Sequence, residues 1–297
     1  MQRRIRISEI CTVLNLTYIG KDIEINGLNL CNRDSEHDKV LTYVTSTNYI
    51  DIIKNNKAVV AVVVPQNCLQ EYKKAERELS YIVCQDAEKT FYDIHDFLYE
   101  KTDFYDKFCF PTMIGTDCNI APTAVIEEGV KIGNHVSIGH NSVIKHGTVI
   151  GDDCVIGCNS TIGSEGFQIL RIHNVNRKVA HCGGVVLGDR VYIGDNTDVC
   201  TSLFEGSTKV GADVKVDNLV HIAHNVVIGD NAVITAGTIL CGSSIVENNA
   251  WIGVNSSILN RVRVGDDSKI GIGSVVTRDV PENALAYGVP ARVKGQV

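Results

Sequence analysis

Aromatic side chains are scarce in this chain of 297 residues: they make up 6% of it, against 44% hydrophobic residues in all. That shortage argues against a globule centred on Phe and Trp. It favours a core of aliphatic side chains, as in stacked coils. A long basic run is also missing, and the net charge is −7. Binding nucleic acid by phosphate neutralisation is therefore disfavoured, and only a local basic pocket for a diphosphate is left open. No CxxC pair occurs among the eleven cysteines, and Cys154 and Cys158 stand four apart. This argues against a zinc ribbon or a secreted disulfide framework, and the thiols read as small hydrophobes. No stretch approaches the ~20 apolar residues that span a bilayer, and the start MQRRIRISEICTVLNL has only a short, broken apolar run. The expectation is a soluble, cytoplasmic protein of two domains, or of one domain plus an elongated array.

What the chain does contain is a period of six. Isoleucine recurs at Ile114, Ile120, Ile126, Ile132, Ile138, Ile144, Ile150, Ile156 and Ile162. After an interruption, Leu187, Ile193 and Val199 resume the step. A second register then runs from Val210 through Val216, Ile222, Ile228, Ile234 and Leu240 to Val276. This period matches neither a helix nor a simple strand. Two residues before each isoleucine stands a small or β-branched side chain, such as Ala124, Ser142 or Cys154. Each unit thus offers one large and one small inward group, followed by Gly, Asn or Asp suited to a tight corner. Three units close a triangular coil of about eighteen residues, which predicts a parallel β-helix in which neighbouring coils share their stability. Between Ile162 and Leu187 the polar segment GSEGFQILRIHNVNRKVAHCGG reads as a loop leaving the coil, over 163–184. A smaller irregularity falls at TSLFEGST, and loops thrown from a rigid solenoid are where sites tend to lie.

Before residue 105 the repeat is absent. Ser8 to Leu16 reads as a short helix, and 57–65 and 81–85 read as strands. Residues 88–99 place Phe91, Ile94, Phe97 and Leu98 at helical spacing. The predicted organisation is an α/β domain over 1–105, joined by the segment 100–111 to a β-helix over 106–280, with a tail at 281–297.

Several segments taken together resemble the UDP-3-O-acylglucosamine N-acyltransferases of lipid A synthesis. They are the N-terminal α/β domain, GSEGF, KVAHCGGVVLGDR and above all DNLVHIAHNVVIGDN at 217–231. The resemblance implies a left-handed β-helix and a homotrimer with sites in clefts between adjacent prisms. It assigns the catalytic histidine to His224, its orienting aspartate to Asp217 and a substrate contact to Asn218. An oxyanion-holding N–H falls on Gly242, and a uracil patch of the N-terminal domain, implying uridine binding there, on Tyr43, Ser46 and Tyr49. Asparagine is expected where Ser46 stands, and Arg261 takes the place of a second active-site histidine. The ending VPENALAYGVPARVKGQV is similar to hexapeptide acetyltransferases that use acetyl-CoA on sugars.

The chemistry agrees with these assignments. Acylating a sugar amine from a thioester needs a base of about imidazole strength, a group that fixes its tautomer and a donor for the oxyanion. Gly242 is eighteen residues after His224, one full coil, so the two stack on one edge. No permanently bound cofactor or metal is expected. Acyl-CoA or acyl carrier protein serves as co-substrate, and a UDP-sugar is the acceptor. His181 is read as touching substrate. His221, next to an inward isoleucine, points outward as a surface or cleft-lining residue. Phe167 either caps the loop or packs against ligand. The histidines His135, His140 and His146 are similar to the zinc set of β-helical carbonic anhydrases, but a strict step of six puts the last two on different faces. The alternatives are an acetyl-CoA-dependent transferase acting on a nucleotide-linked amino-deoxy sugar of a surface polysaccharide, and a non-catalytic scaffold.

Overall fold

The computed structural model describes residues 4–33, 35, 37–74, 77–105, 110–172 and 174–297. Residues 106–109 of the expected linker and His173 of the expected loop lie outside the described residues. The chain divides into two compact units. One holds Lys107–Phe167, Gly183–Leu203 and Ser207–Val297; the other holds Met1–Asp106, Gln168–Cys182 and Phe204–Gly206.

The larger unit is a left-handed parallel β-helix of hexapeptide repeats. Its strands form three faces, two of eight strands and one of ten. The register shows the coil length directly. Ile144 pairs with Ile162, eighteen residues on, and Ile162 with Val199, thirty-seven on. Val199 pairs with Ile222, twenty-three on, and Ile222 with Leu240, eighteen again. The two interruptions therefore add nineteen and five residues to a coil of eighteen. All five of these inward side chains are fully buried, each contributing roughly 2 kcal/mol of transfer free energy. The small inward residues carry hydrogen bonds as well: Ser142 Oγ donates to the Gly157 carbonyl at 2.6 Å and Ser160 Oγ to that of Gly194 at 2.7 Å. At the terminal rung Ile114 is half exposed.

The corners explain why Asn and Asp recur. Asn141, Asn159, Asn196 and Asn255 all adopt φ between 53° and 59° at one corner, a conformation that Asn reaches at little cost. Both interruptions leave from a different corner, the one that follows the strands Thr161–Ser164 and Asp198–Cys200. One coil further on, the same corner follows His221–Ile222 and carries His224.

Two of the expected boundaries change. The tail at 281–297 is not separate, because Ala284–Gly288 pairs with Lys269–Ile270 and extends the ten-stranded face, and Ala291–Gln296 returns antiparallel to it. Most of the excursion, 168–182, belongs to the N-terminal unit rather than to the helix.

In that unit a five-stranded sheet runs Thr17–Ile19, Ser80–Cys84, Val59–Pro65, Val40–Tyr43, Gly27–Leu28, with the last four strands parallel. The expected helices appear as Ile7–Val13 and Ala87–Lys101. The second starts where the Asp86 side chain accepts the Lys89 N–H at 3.0 Å, an N-cap. Phe91, Ile94 and Leu98 are buried as their spacing predicts, and so is His95. The excursion forms a hairpin, Ile169–Ile172 with Val175–Lys178. Its Arg177 pairs with Asp93 at 2.7 Å and with Asp96. The Ala180 carbonyl can only accept, so it takes His95 Nε2–H at 2.9 Å, and Nδ1 accepts the Tyr105 hydroxyl at 2.6 Å. Phe204, from the second interruption, stacks on Tyr92 and meets Phe91 and His95 edge to face.

Burial pushes the His95 imidazole below its usual value, against the opposing pull of the Ala180 carbonyl. A histidine whose folded pKa is depressed binds fewer protons folded than unfolded. Its stabilisation is present above the unfolded value, about 6.5, and is lost as pH falls through it. Urea unfolding of the wild type should show this loss between about pH 7 and pH 5, and His95→Gln should remove that part of the slope. Parallel curves for the two proteins would contradict the assignment.

Candidate active site

The helix corner after His221–Ile222 holds three of the expected residues, with His224 and Gly242 in one column and Arg261 one position on, in register with Asn225 and Ser243. His224, Gly242 and Arg261 stand at the same corner of consecutive coils. The Ser243 N–H donates to the His224 carbonyl at 2.9 Å and the Arg261 N–H to that of Gly242 at 3.3 Å. The His224 ring lies directly on Gly242. A Cβ added to that glycine would sit 2.5 Å from Nε2 and 2.6 Å from Cε1, so Nε2 is within about 4 Å of the Gly242 Cα once a ~1.5 Å bond is added. The Gly242 N–H donates to no group among the described residues. The residues expected to serve as base and oxyanion donor are thus neighbours, one coil apart. Arg261 is exposed, with no hydrogen-bond or ion-pair partner for its guanidinium among the described residues.

The orienting group differs from the one expected. His224 Nδ1 faces Asn225 Oδ1 at 3.0 Å. The same Oδ1 accepts the Leu203 N–H at 3.0 Å, and Asn225 Nδ2 points to Ser202 Oγ at 2.5 Å. A backbone N–H can only donate, so the atom it meets is the amide oxygen. His224 Nδ1 must then also be the donor, which makes Nε2 the unprotonated, accepting nitrogen. Asp217 stands at the other end of the His221–Ile222 strand, at a different corner. There its carboxylate accepts the Asn218 N–H at 2.7 Å. Seven residues at ~3.3 Å each separate the two positions, so within one chain Asp217 does not orient His224. Asn218 holds that same corner: its Oδ1 accepts the Asp195 N–H at 2.6 Å.

His221 points outward, as expected, but it is not alone. Its Nδ1 lies 3.1 Å from Asp198 Oδ2, one coil earlier. Cys200 Sγ donates to the same oxygen at 3.4 Å, and Ser164 Oγ lies 3.4 Å from Cys200 Sγ. Burial works against ionisation of Asp198, but hydrogen bonds from His221, Ser164 and Cys200 outweigh it and hold the carboxyl below its usual range. Burial, with Asp198 adding to it, pushes the Cys200 thiol up to about 12, so it is a protonated donor rather than a nucleophile. Asp198, Cys200 and His221 are also the one group among the described residues whose ligand atoms lie close enough to hold a metal ion. The expectation that the protein carries no metal is left as an expectation. His135, His140 and His146 are at three different corners. Their partners are Asp153, Thr123 and the Glu128 carbonyl respectively.

The other expected contacts fall in the N-terminal unit. Tyr43 ends the strand Val40–Tyr43, at the carboxyl edge of the parallel strands, where α/β sheets bind ligands. Its hydroxyl is 3.0 Å from Glu88 Oε1 and its ring packs on Phe91. Ser46 caps the turn that follows, accepting the Asn48 N–H at 3.4 Å, and Tyr49 is half buried. His181 is buried, with Nδ1 at 3.1 Å from the Val179 carbonyl. In the helix unit Phe167 is 80% exposed.

The repeat and its histidine corner define a hexapeptide-repeat transferase. The family described as "Bacterial transferase hexapeptide (six repeats)" matches residues 111–146, 129–164 and 207–242, and "Hexapeptide repeat of succinyl-transferase" matches 244–278. The chain is 34% identical to the UDP-3-O-acylglucosamine N-acyltransferase of Campylobacter lari, over 95% of this chain and 92% of that protein. It is 34% identical to that of Campylobacter concisus over 93% and 90%. The chain therefore belongs to the UDP-3-O-acylglucosamine N-acyltransferase family, a family of enzymes. Against the Methylorubrum extorquens relative, at 38% identity, the match covers 44% of this chain and little more than a third, 37%, of that protein. A solved UDP-N-acetylglucosamine acyltransferase from Campylobacter jejuni is similar at a TM-score of 0.49 and 22% identity, covering 60% of this chain and 75% of that one.

Gly242 lies outside the left-handed region, so Gly242→Ala is conformationally free, and the three heavy atoms nearest its new methyl all belong to the His224 ring. We expect acyl transfer to drop about 100-fold or more, as for loss of a positioned general base, because the methyl displaces the imidazole while the N–H remains, with an unchanged far-UV spectrum. Wild-type kcat/KM in this variant would show that the ring does not need its place over Gly242.

Proposed function

We propose that the protein moves an acyl group from a thioester, of acyl carrier protein or CoA, to the amine of a UDP-linked amino sugar on the route to lipid A. The observation that carries this reading is the His224 ring seated on Gly242, with its tautomer fixed by Asn225. The unprotonated Nε2 takes the amine's proton as the tetrahedral intermediate forms. The Gly242 N–H stabilises the oxyanion, and the thiolate leaves with the proton held by His224. Asn218 and His181 are substrate contacts in this reading. Arg261, at the same corner and with no guanidinium partner among the described residues, is suited to an anionic phosphate of donor or acceptor. Tyr43, Ser46 and Tyr49, at the carboxyl edge of the N-terminal sheet, receive the uracil. The names of the Campylobacter relatives support the acceptor class.

The active assembly is a homotrimer. Asp217 and His224 stand at opposite ends of one strand, so a neighbouring copy is the way for that carboxylate to reach the site. Mixing inactive Asp217→Ala and His224→Ala chains should then restore activity, in about a quarter of the sites for random exchange in a threefold ring. No recovery on mixing would place both residues in the service of one chain.

The direct test is mass-spectrometric. UDP- and dTDP-linked 3-amino sugars are offered with acetyl-CoA and with long-chain acyl carrier protein. The reading expects an amide of the UDP-sugar and a loss of about 100-fold or more in His224→Ala. Full activity of His224→Ala would overturn the mechanism. Exclusive use of acetyl-CoA would remove the lipid A assignment and leave the short-chain transferase.

A further inference from the structure

We propose that His221, backed by Asp198, is a second catalytic base of this site, one that takes the first proton from the sugar's ammonium group. The inference rests on the N-acyl transfer reading above.

The outward column to which these two residues belong runs over eight strands. It reads Val125, Val143, Thr161, Asp198, His221, Ile239, Ser257, Val275. Asp198 and His221 are its only ionisable members, and they occupy adjacent rungs. A helix that needed only a solvated face would have no reason to place its one acid and one imidazole in contact. The pair also stands in the coil that carries His224. The two histidines are three residues apart, at most about 10 Å between Cα atoms, and a sugar spans such a gap.

The geometry is that of a base. Asp198 Oδ2 on Nδ1 holds the Nδ1–H tautomer, so Nε2 is the acceptor, and it has no hydrogen-bond partner among the described residues. The His221 side chain is 45% exposed and that of Asp198 37%. Substrate can therefore reach the imidazole. Behind it the carboxylate is anchored by the Cys200 thiol, which in turn contacts Ser164. The Nδ1 of His224 meets the neutral amide of Asn225 instead. A carboxylate partner stabilises imidazolium and an amide does not. Within the helix the groups against it are Asp198 on one side and Ile239 on the other, with Cys200 behind Asp198. His224 and the exposed Asp217 stand at the corners that bound its strand.

N-acylation gives two bases two protons to handle. A sugar amine arrives largely as ammonium and must lose one proton to gain a lone pair, then a second after attack. His221 Nε2 takes the first. The freed lone pair forms the C–N bond at the thioester carbon, and the carbonyl becomes the oxyanion at Gly242. His224 Nε2 takes the second proton. The carbonyl reforms as the C–S bond breaks, the thiolate receives the proton of His224, and His221 returns its own proton to water. The sum is ammonium plus thioester giving amide, thiol and one proton.

The test compares wild type with His221→Gln and Asp198→Asn, in the full chain, with a UDP-linked amino sugar as acceptor over a range of pH. At about pH 6.5, where the amine is mostly charged, both variants should lose at least about ten-fold in kcat/KM. By about pH 9, where the amine is neutral unaided, the deficit should shrink to within about two-fold. A loss that is the same at every pH marks a structural role and overturns the proposal, as does wild-type activity of His221→Gln at the lower pH. A wild type that acylates no amino sugar overturns the underlying N-acyl transfer reading, and this proposal with it.

Discussion

Along the helix each outward-strand N–H must meet a carbonyl of the next coil, seventeen residues ahead in an uninterrupted coil: His221 N–H to Thr238, Ile239 N–H to Ser256, Ser257 N–H to Ser274. That rule holds the rest of the structure in place. It stacks the aliphatic ladder on itself, repeats every corner and fixes which residues share an edge. A side chain on such a scaffold has little freedom to be elsewhere, because a one-residue slip would turn the buried isoleucines outward. The site therefore draws its precision from backbone pairing, and its residues need supply only chemistry.

The same rule says where insertions can go. Extra residues are tolerated at a corner, where pairing is already interrupted, and both insertions use one corner. The helix regains register after each, as the pairs Ile162 with Val199 and Val199 with Ile222 show. What leaves does not hang free. The hairpin 169–178 is tied to the helix Ala87–Lys101 by Arg177 and His95, and Phe204 joins the same aromatic cluster. In the next coils that corner carries His224, Gly242 and Arg261, the imidazole, the amide and the cation that the chemistry calls for.

The six-residue step is visible in the chain because nearly every rung keeps its isoleucine or valine. With it comes the stacking of Gly242 on His224, eighteen residues apart. Other parts are hidden for physical reasons. Asn225 reads as one more corner asparagine, since its φ of 60° is what such a corner needs, and nothing in a sequence shows that its amide is also spoken for by Leu203 and Ser202. Asp217 is near His224 in number but a whole face away in space. Asp198 is far in number yet adjacent, because five inserted residues turn the expected eighteen into twenty-three. The excursion's membership in the N-terminal unit depends on Arg177 and His95, polar contacts that leave no periodic trace.

The central claim is that His224 acts as a base with Nε2 unprotonated and Nδ1–H held by Asn225. Long-range 15N–1H correlation spectra of the selectively labelled wild-type protein, with His224 assigned through His224→Gln, read that tautomer directly. The account predicts a neutral ring protonated on Nδ1, shifting toward the other tautomer in Asn225→Ala. A ring already protonated on Nε2 in the wild type would contradict it, because such an imidazole has no lone pair to offer on the side of Gly242.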